Sequence, residues 1–93
     1  PQAIDDVVFA DAIVDEYQVV LTSDDRHADV ATLRVMPKRS LARDEIGGIE
    51  RHLAEAVQRK VGIRFLIDVL APGALVRSEY KARRWLDQRA HAR

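Results

Sequence analysis

Imidazoles are the first side chains to ask for chemistry, because they titrate near neutral pH and bind metals. The chain has three, His27, His52 and His91. They lie far apart and share no metal-ligand spacing. His52 sits between Arg51 and Leu53 on the flank of a helical pattern, where a solvated ring is expected. Asp24 and Asp25 could meet a cation, but in a Ser-Asp-Asp-Arg-His stretch they read as turn formers. Ser23, Ser40 and Ser78 have no base and orienting group to make a nucleophile of them. Neither a G-x-x-x-x-G-K-[ST] loop nor a G-x-G-x-x-G turn is present. The concentrated feature is residues 75–87, Leu-Val-Arg-Ser-Glu-Tyr-Lys-Ala-Arg-Arg-Trp-Leu-Asp. Here Lys81 stands between a turn and a stretch carrying Arg83 and Arg84. Such a lysine is a reachable point cation that can meet a carboxylate or phosphate on another surface. On spacing alone, a solvated lysine is the commoner meaning.

The surroundings of these residues are bounded by composition. Ninety-three residues, 47% of them hydrophobic, make one small globular domain rather than two or a disordered tract. Without cysteine there is neither a disulfide scaffold nor a thiolate metal site. No apolar run is long enough to span a membrane, and no secretory leader is visible, so a soluble cytoplasmic domain is expected. Fifteen bases balance fifteen acids, but unevenly. Residues 1–36 hold eight acids and two bases, and residues 37–93 hold thirteen bases and seven acids. Either the basic part meets an anionic partner, or the two halves attract each other across one fold.

Periodicity supplies the elements that must hold Lys81. Ile4, Val7 and Val8 at helical spacing predict a short helix over about residues 2–9. Alternation predicts strands at 16–23 and 29–36, and the polar link between them makes an antiparallel hairpin. Ser40 is a candidate cap for a helix to about residue 60, whose stripe is Ile46, Ile49, Leu53, Ala56 and Val57. Gly47-Gly48 is its weak point, and Gly62 its stop. Residues 63–70 form a third strand, residues 71–74 a turn, and residues 81–90 a last helix with Ala82, Trp85 and Leu86 inward and Arg83, Arg84 and Arg89 outward. The expected fold is α+β, a two-layer sandwich of a three-stranded sheet with helices in α-β-β-α-β-α order.

Residues 73–84 read Gly-Ala-Leu-Val-Arg-Ser-Glu-Tyr-Lys-Ala-Arg-Arg, followed by Asp87. This resembles the carboxy-terminal stretch of phenylacetate–CoA ligase-like enzymes of the adenylate-forming superfamily, Gly-x-Leu-Pro-Arg-Ser-x-Gly-Lys-x-x-Arg. Val76 stands at the family's Pro and Tyr80 at its Gly, where glycine would permit a positive φ. Residues 1–7, Pro-Gln-Ala-Ile-Asp-Asp-Val, are similar to the family's Pro-x-x-Ile-Glu-x-Val/Leu helix. Residues 17–20, Tyr-Gln-Val-Val, are similar to its Tyr-Gln-Ile-Val strand, and residues 57–63 to its helix end followed by Gly-Ile or Gly-Val. The matches are collinear over nearly the whole chain.

The resemblance implies that residues 1–93 are the C-terminal lid domain of a larger acid–CoA ligase. In such enzymes a large amino-terminal domain binds ATP and the acid, and the small domain presents a lysine during adenylation. It then rotates to help shape the thioester site for coenzyme A. Lys81 matches that lysine, as the catalytic residue. ATP, Mg and coenzyme A are implied for the full-length enzyme, with no cofactor in the isolated domain. The implied partner is the amino-terminal adenylating domain of the same chain, joined by a hinge before Pro1; no nucleic acid and no membrane are implied. Two other readings stay open from the residues alone. A nucleic-acid-binding module could use the basic stretch 77–93, although the strands offer only Tyr17 and Phe65 for base stacking. A small-ligand regulatory or oligomerisation domain could share the layout.

Overall fold

The computed structural model describes residues 2–75 and 84–89. Helix α1 (Gln2–Val8) turns Ile4 and Val8, four residues apart, onto one buried face. Strands β1 (Val14–Ser23) and β2 (Asp29–Pro37) form the expected antiparallel hairpin. Its turn is built by Asp24, whose Oδ1 accepts the backbone N–H groups of Arg26 and Ala28 at 2.8 and 3.0 Å. The aspartate therefore serves the backbone, as the turn reading requires. Tyr17 lies opposite Val35, Val19 opposite Leu33 and Leu21 opposite Ala31, so these six share one face. Helix α2 (Arg43–Val61) covers that face with Leu53 and Val57, and with Ile4, Val8, Val14 and Phe65 they make the core.

Strand β3 (Leu66–Val69) runs parallel to β2, and β4 (Trp85–Asp87) runs parallel to β1. The sheet order is β3-β2-β1-β4, so both parallel strands are edges and the hairpin is central. The fold is thus α+β, with a mixed sheet of four strands among the described residues, one more than expected. The difference lies at the expected last helix. Residues 85–87 are a strand, while 81–83 and 90 lie outside the described residues. The free edge of β1 decides this. Val19 donates its N–H to the Arg84 carbonyl at 2.6 Å, and Gln88 donates to the Leu21 carbonyl at 2.7 Å. A partner strand sixty-odd residues away satisfies backbone groups that local periodicity assigns to a helix. Trp85, expected inward, is 40% exposed.

The third strand is shorter than expected, because only residues 66–69 find ladder partners on β2; Ile63 is exposed. Ser40 does not cap α2 either. Ala42 is the N-cap, and Glu45 reaches back to accept its N–H at 2.9 Å while Arg39 holds the same carboxylate at 2.8 Å. At the other end Gly62 takes φ 80° and its N–H bonds the Gln58 carbonyl, a left-handed cap that glycine accepts without strain. Gly47 and Gly48 lie inside α2, which runs through them. A Cβ at Gly48 would meet nothing within 4 Å, so close packing does not require that glycine.

Two expectations follow. Gly48→Ala should raise the unfolding free energy by about 0.5–1 kcal/mol, read from urea denaturation, because the site is helical and open. The Glu45 carboxyl falls from its ordinary 4.5 to about 2, first through the Arg39 hydrogen bond and then through the Ala42 N–H. A folded pKa below the unfolded one contributes stability at higher pH that is lost as pH falls toward 2. The stability gap between the parent and Glu45→Gln should therefore narrow as pH falls from about 5 to about 2, and narrow again with added salt.

Candidate functional site

The candidate lysine, Lys81, lies outside the described residues, as do Arg77, Ser78, Arg83 and His91. What the structure describes is where the segment that carries it leaves the sheet and where it returns. On the leaving side, β3 ends with the Leu70 N–H on the Val35 carbonyl at 2.8 Å. The chain then turns at residues 71–74, as expected, with the Ala74 N–H on the Ala71 carbonyl at 3.1 Å. Pro72 presets the first central position, and Gly73 takes the second at φ 79°, the geometry of a type II turn. Leu75 follows, its N–H directed at the Met36 sulfur at 3.4 Å, a weak acceptor.

The returning side is held much harder. Arg84 puts Nη2 on Glu16 Oε2 at 2.9 Å and Nη1 3.6 Å from Asp5 Oδ1. Its Cζ lies 5.3 Å from the ring centroids of both Phe9 and Tyr17, which themselves meet edge to face at 5.5 Å. The Tyr17 hydroxyl donates to Asp5, and Glu16 Oε1 accepts the Tyr17 N–H at 3.3 Å. Arg84 Nε finds no acceptor among the described residues, so two nitrogens and two rings do the holding. The Glu16 hydrogen bond leads in raising the Arg84 pKa. Burial first, then the Asp5 hydrogen bond, pushes the Tyr17 phenol well above its ordinary 10. The guanidinium therefore stays charged and the phenol neutral at any working pH.

Glu16 and Met36 are direct cross-strand partners in the β1–β2 ladder, and both are buried. The segment that carries Lys81 thus begins beside one member of this pair and ends on the other. A second tie follows β4, where Arg89 bonds Asp29 at 3.0 Å and Asp87 at 2.6 Å. Arg84 and Arg89, expected to face outward, instead tie the basic end of the chain to its acidic beginning. The segregated charges attract each other within one fold. Sequence reasoning missed Glu16, Asp5, Phe9 and Tyr17 as a group. The available signal was a glutamate inside an apolar strand, opposite a chain end rich in arginine.

The remaining candidates do not assemble a site. His27 lies in the hairpin turn with φ 63°, and His52 is exposed on α2. Ser40 lines a groove of about 240 Å³ with Pro37, Leu41, Ile46, Leu70 and Pro72, and no lining side chain there titrates. Among the described residues no group of three or more His, Asp or Glu could hold a metal ion. No helix among them is long and apolar enough to cross a membrane.

Comparison with solved structures places this geometry among relatives. The chain is similar to a domain of phenylacetate-coenzyme A ligase from Bacteroides vulgatus ATCC 8482, with TM-score 0.86 and 17% identity, over 99% of this chain and 86% of that one. It is also similar to 2-hydroxyisobutyryl-CoA ligase in complex with 2-HIB-AMP and CoA in the thioesterification state, with TM-score 0.81, 26% identity and 96% of this chain covered. The likeness to that ligase in its postadenylation state with 2-HIB-AMP has TM-score 0.76 and 26% identity, over 95% of this chain. In both states the chain spans 19% of the ligase's length. No curated protein matches significantly. Residues 1–89 match the family model of the AMP-binding enzyme C-terminal domain, and the chain belongs to that family.

Proposed function

We propose that this chain is the mobile C-terminal domain of an acid–CoA ligase of the phenylacetate–CoA ligase kind. Its partner is a large amino-terminal domain of the same protein, which binds ATP and the acid. ATP and coenzyme A are substrates of that full-length enzyme, and the cytoplasm is the proposed compartment. The observation that carries the reading is the family match over residues 1–89, joined to the Lys81-x-x-Arg84 stretch at its end. Further support comes from the likeness to one ligase in both its postadenylation and thioesterification states.

In the first half-reaction a carboxylate oxygen attacks the α-phosphorus of ATP, and pyrophosphate leaves. Negative charge develops on the phosphoryl oxygens, and the ammonium of Lys81 stabilises it. In the second, the coenzyme A thiol attacks the acyl carbonyl and AMP departs. Rotation of the domain takes the lysine away and brings another face to the thioester site, so one small domain serves two steps. Magnesium is expected with the nucleotide in the larger domain.

Lys81→Ala in the full-length enzyme should lower acid-dependent pyrophosphate exchange by at least about 100-fold, the scale of losing one charge-stabilising group. Thioester formation from supplied acyl-adenylate and coenzyme A should stay within a few-fold of the parent. Equal loss of both half-reactions, or loss of neither, sinks the assignment.

A further inference from the structure

Resting on the proposed role of Lys81, we infer that Arg84 is a positioning residue for adenylation: its clamp on Glu16, Asp5, Phe9 and Tyr17 sets the point from which Lys81 reaches. Only Ala82 and Arg83 lie between the two, so the Cα atoms of Lys81 and Arg84 can be at most about 11 Å apart and the anchor bounds where Lys81 starts from. The clamp is directional. Glu16 receives the guanidinium on one oxygen, and its other oxygen is occupied by the Tyr17 N–H, so the carboxylate has little freedom to follow a shifted arginine. The rings of Phe9 and Tyr17 flank the same guanidinium at equal distance and restrict its plane.

The two ends of the segment are held unequally. Among the described residues Leu75 makes a weak N–H to sulfur contact with Met36, whereas Arg84 meets two carboxylates and two rings. Because Met36 and Glu16 are cross-strand partners, both ends refer to one place on the sheet, and the stronger end defines it. Arg84 is itself inside the domain, with 27% of its side chain exposed, and is already committed to Glu16. Its influence on the reaction therefore runs through the backbone to Lys81 and not through contact with substrate.

The test compares Arg84→Gln, Glu16→Gln, Arg84→Lys and Lys81→Ala in the full-length ligase. Pyrophosphate exchange reports adenylation, thioester formation from supplied acyl-adenylate is the internal control, and circular dichroism reports the folded fraction. Arg84→Gln and Glu16→Gln should each lower the kcat of exchange by about 10- to 100-fold, the scale of a misplaced catalytic group. The KM for ATP and the thioester step should hold within about twofold, since neither residue binds substrate. Arg84→Lys should regain part of the kcat, keeping the charge on Glu16 without the planar stack.

Loss in Arg84→Gln but not in Glu16→Gln overturns the inference, because Arg84 would then act on substrate directly. A fall of both half-reactions in step with the folded fraction overturns it as a purely structural role. Selective loss in Lys81→Ala with both clamp variants silent overturns the inference and leaves the proposed function standing. A silent Lys81→Ala overturns the proposed function and the inference with it. Should Arg84→Gln not fold, Phe9→Leu loosens the same clamp from its half-exposed side and is read against the same outcomes.

Discussion

The guanidinium of Arg84 brings a full charge to a place where most of its side chain is shielded from water, and Glu16, 5% exposed, meets it there. Taking two ions out of water costs several kcal/mol each, and only good geometry with extra partners offsets it. The geometry here supplies those partners: a second carboxylate on Asp5, two aromatic faces, and a backbone N–H on the free oxygen of Glu16. Removing one ion of a buried pair leaves the other uncompensated, which costs on the order of 3–5 kcal/mol. The last strand and the meeting of the acidic and basic parts of the chain are fixed by this contact together with the Arg89 tie to Asp29.

Its importance follows from the order of the sheet. Strands β3 and β4 are opposite edges of the sheet. Leu75 touches β2 at Met36 on the way out, and Arg84 touches β1 at Glu16 on arrival. Those two residues are neighbours in the ladder, next to the bulge between Val14 and Glu16, so both contacts fall at one place on the sheet. A short strand of three residues has little pairing energy of its own. Arg84 before it and Arg89 after it, on Asp29, hold it against the edge. Side chains that bear charge thus do for β4 what length does for β1 and β2. For the function proposed above, in which a lysine is brought to a phosphate on another domain, a fixed base for that lysine is the useful property.

Legibility followed the range of the interactions. The hairpin was visible because alternation and a turn of Ser23, Asp24 and Asp25 act over a few residues. Helix α2 was visible from its stripe, yet its start was misplaced, since Ser40 has the right type but Arg39 and Glu45 make the working cap at Ala42. Ala82, Trp85 and Leu86 fit a helical period, and a strand of three residues leaves too little alternation to be told apart. The same helical period puts Arg84 outward. Nothing near it in sequence advertises a partner at Glu16, and only the unequal split of charge between the chain's two parts hinted at one.

By itself the sequence determined the α+β class, the hairpin, the first two helices, and the family, because these rest on local periodicity and on collinear motifs. Tertiary structure alone decided that residues 85–87 would be a strand, that it would lie on the free edge of β1, and that Arg84 would face inward. The physical reason is that an edge strand's unpaired backbone groups and a buried carboxylate both demand partners, and they take them from wherever the chain brings them within reach. Sequence spacing does not record that distance.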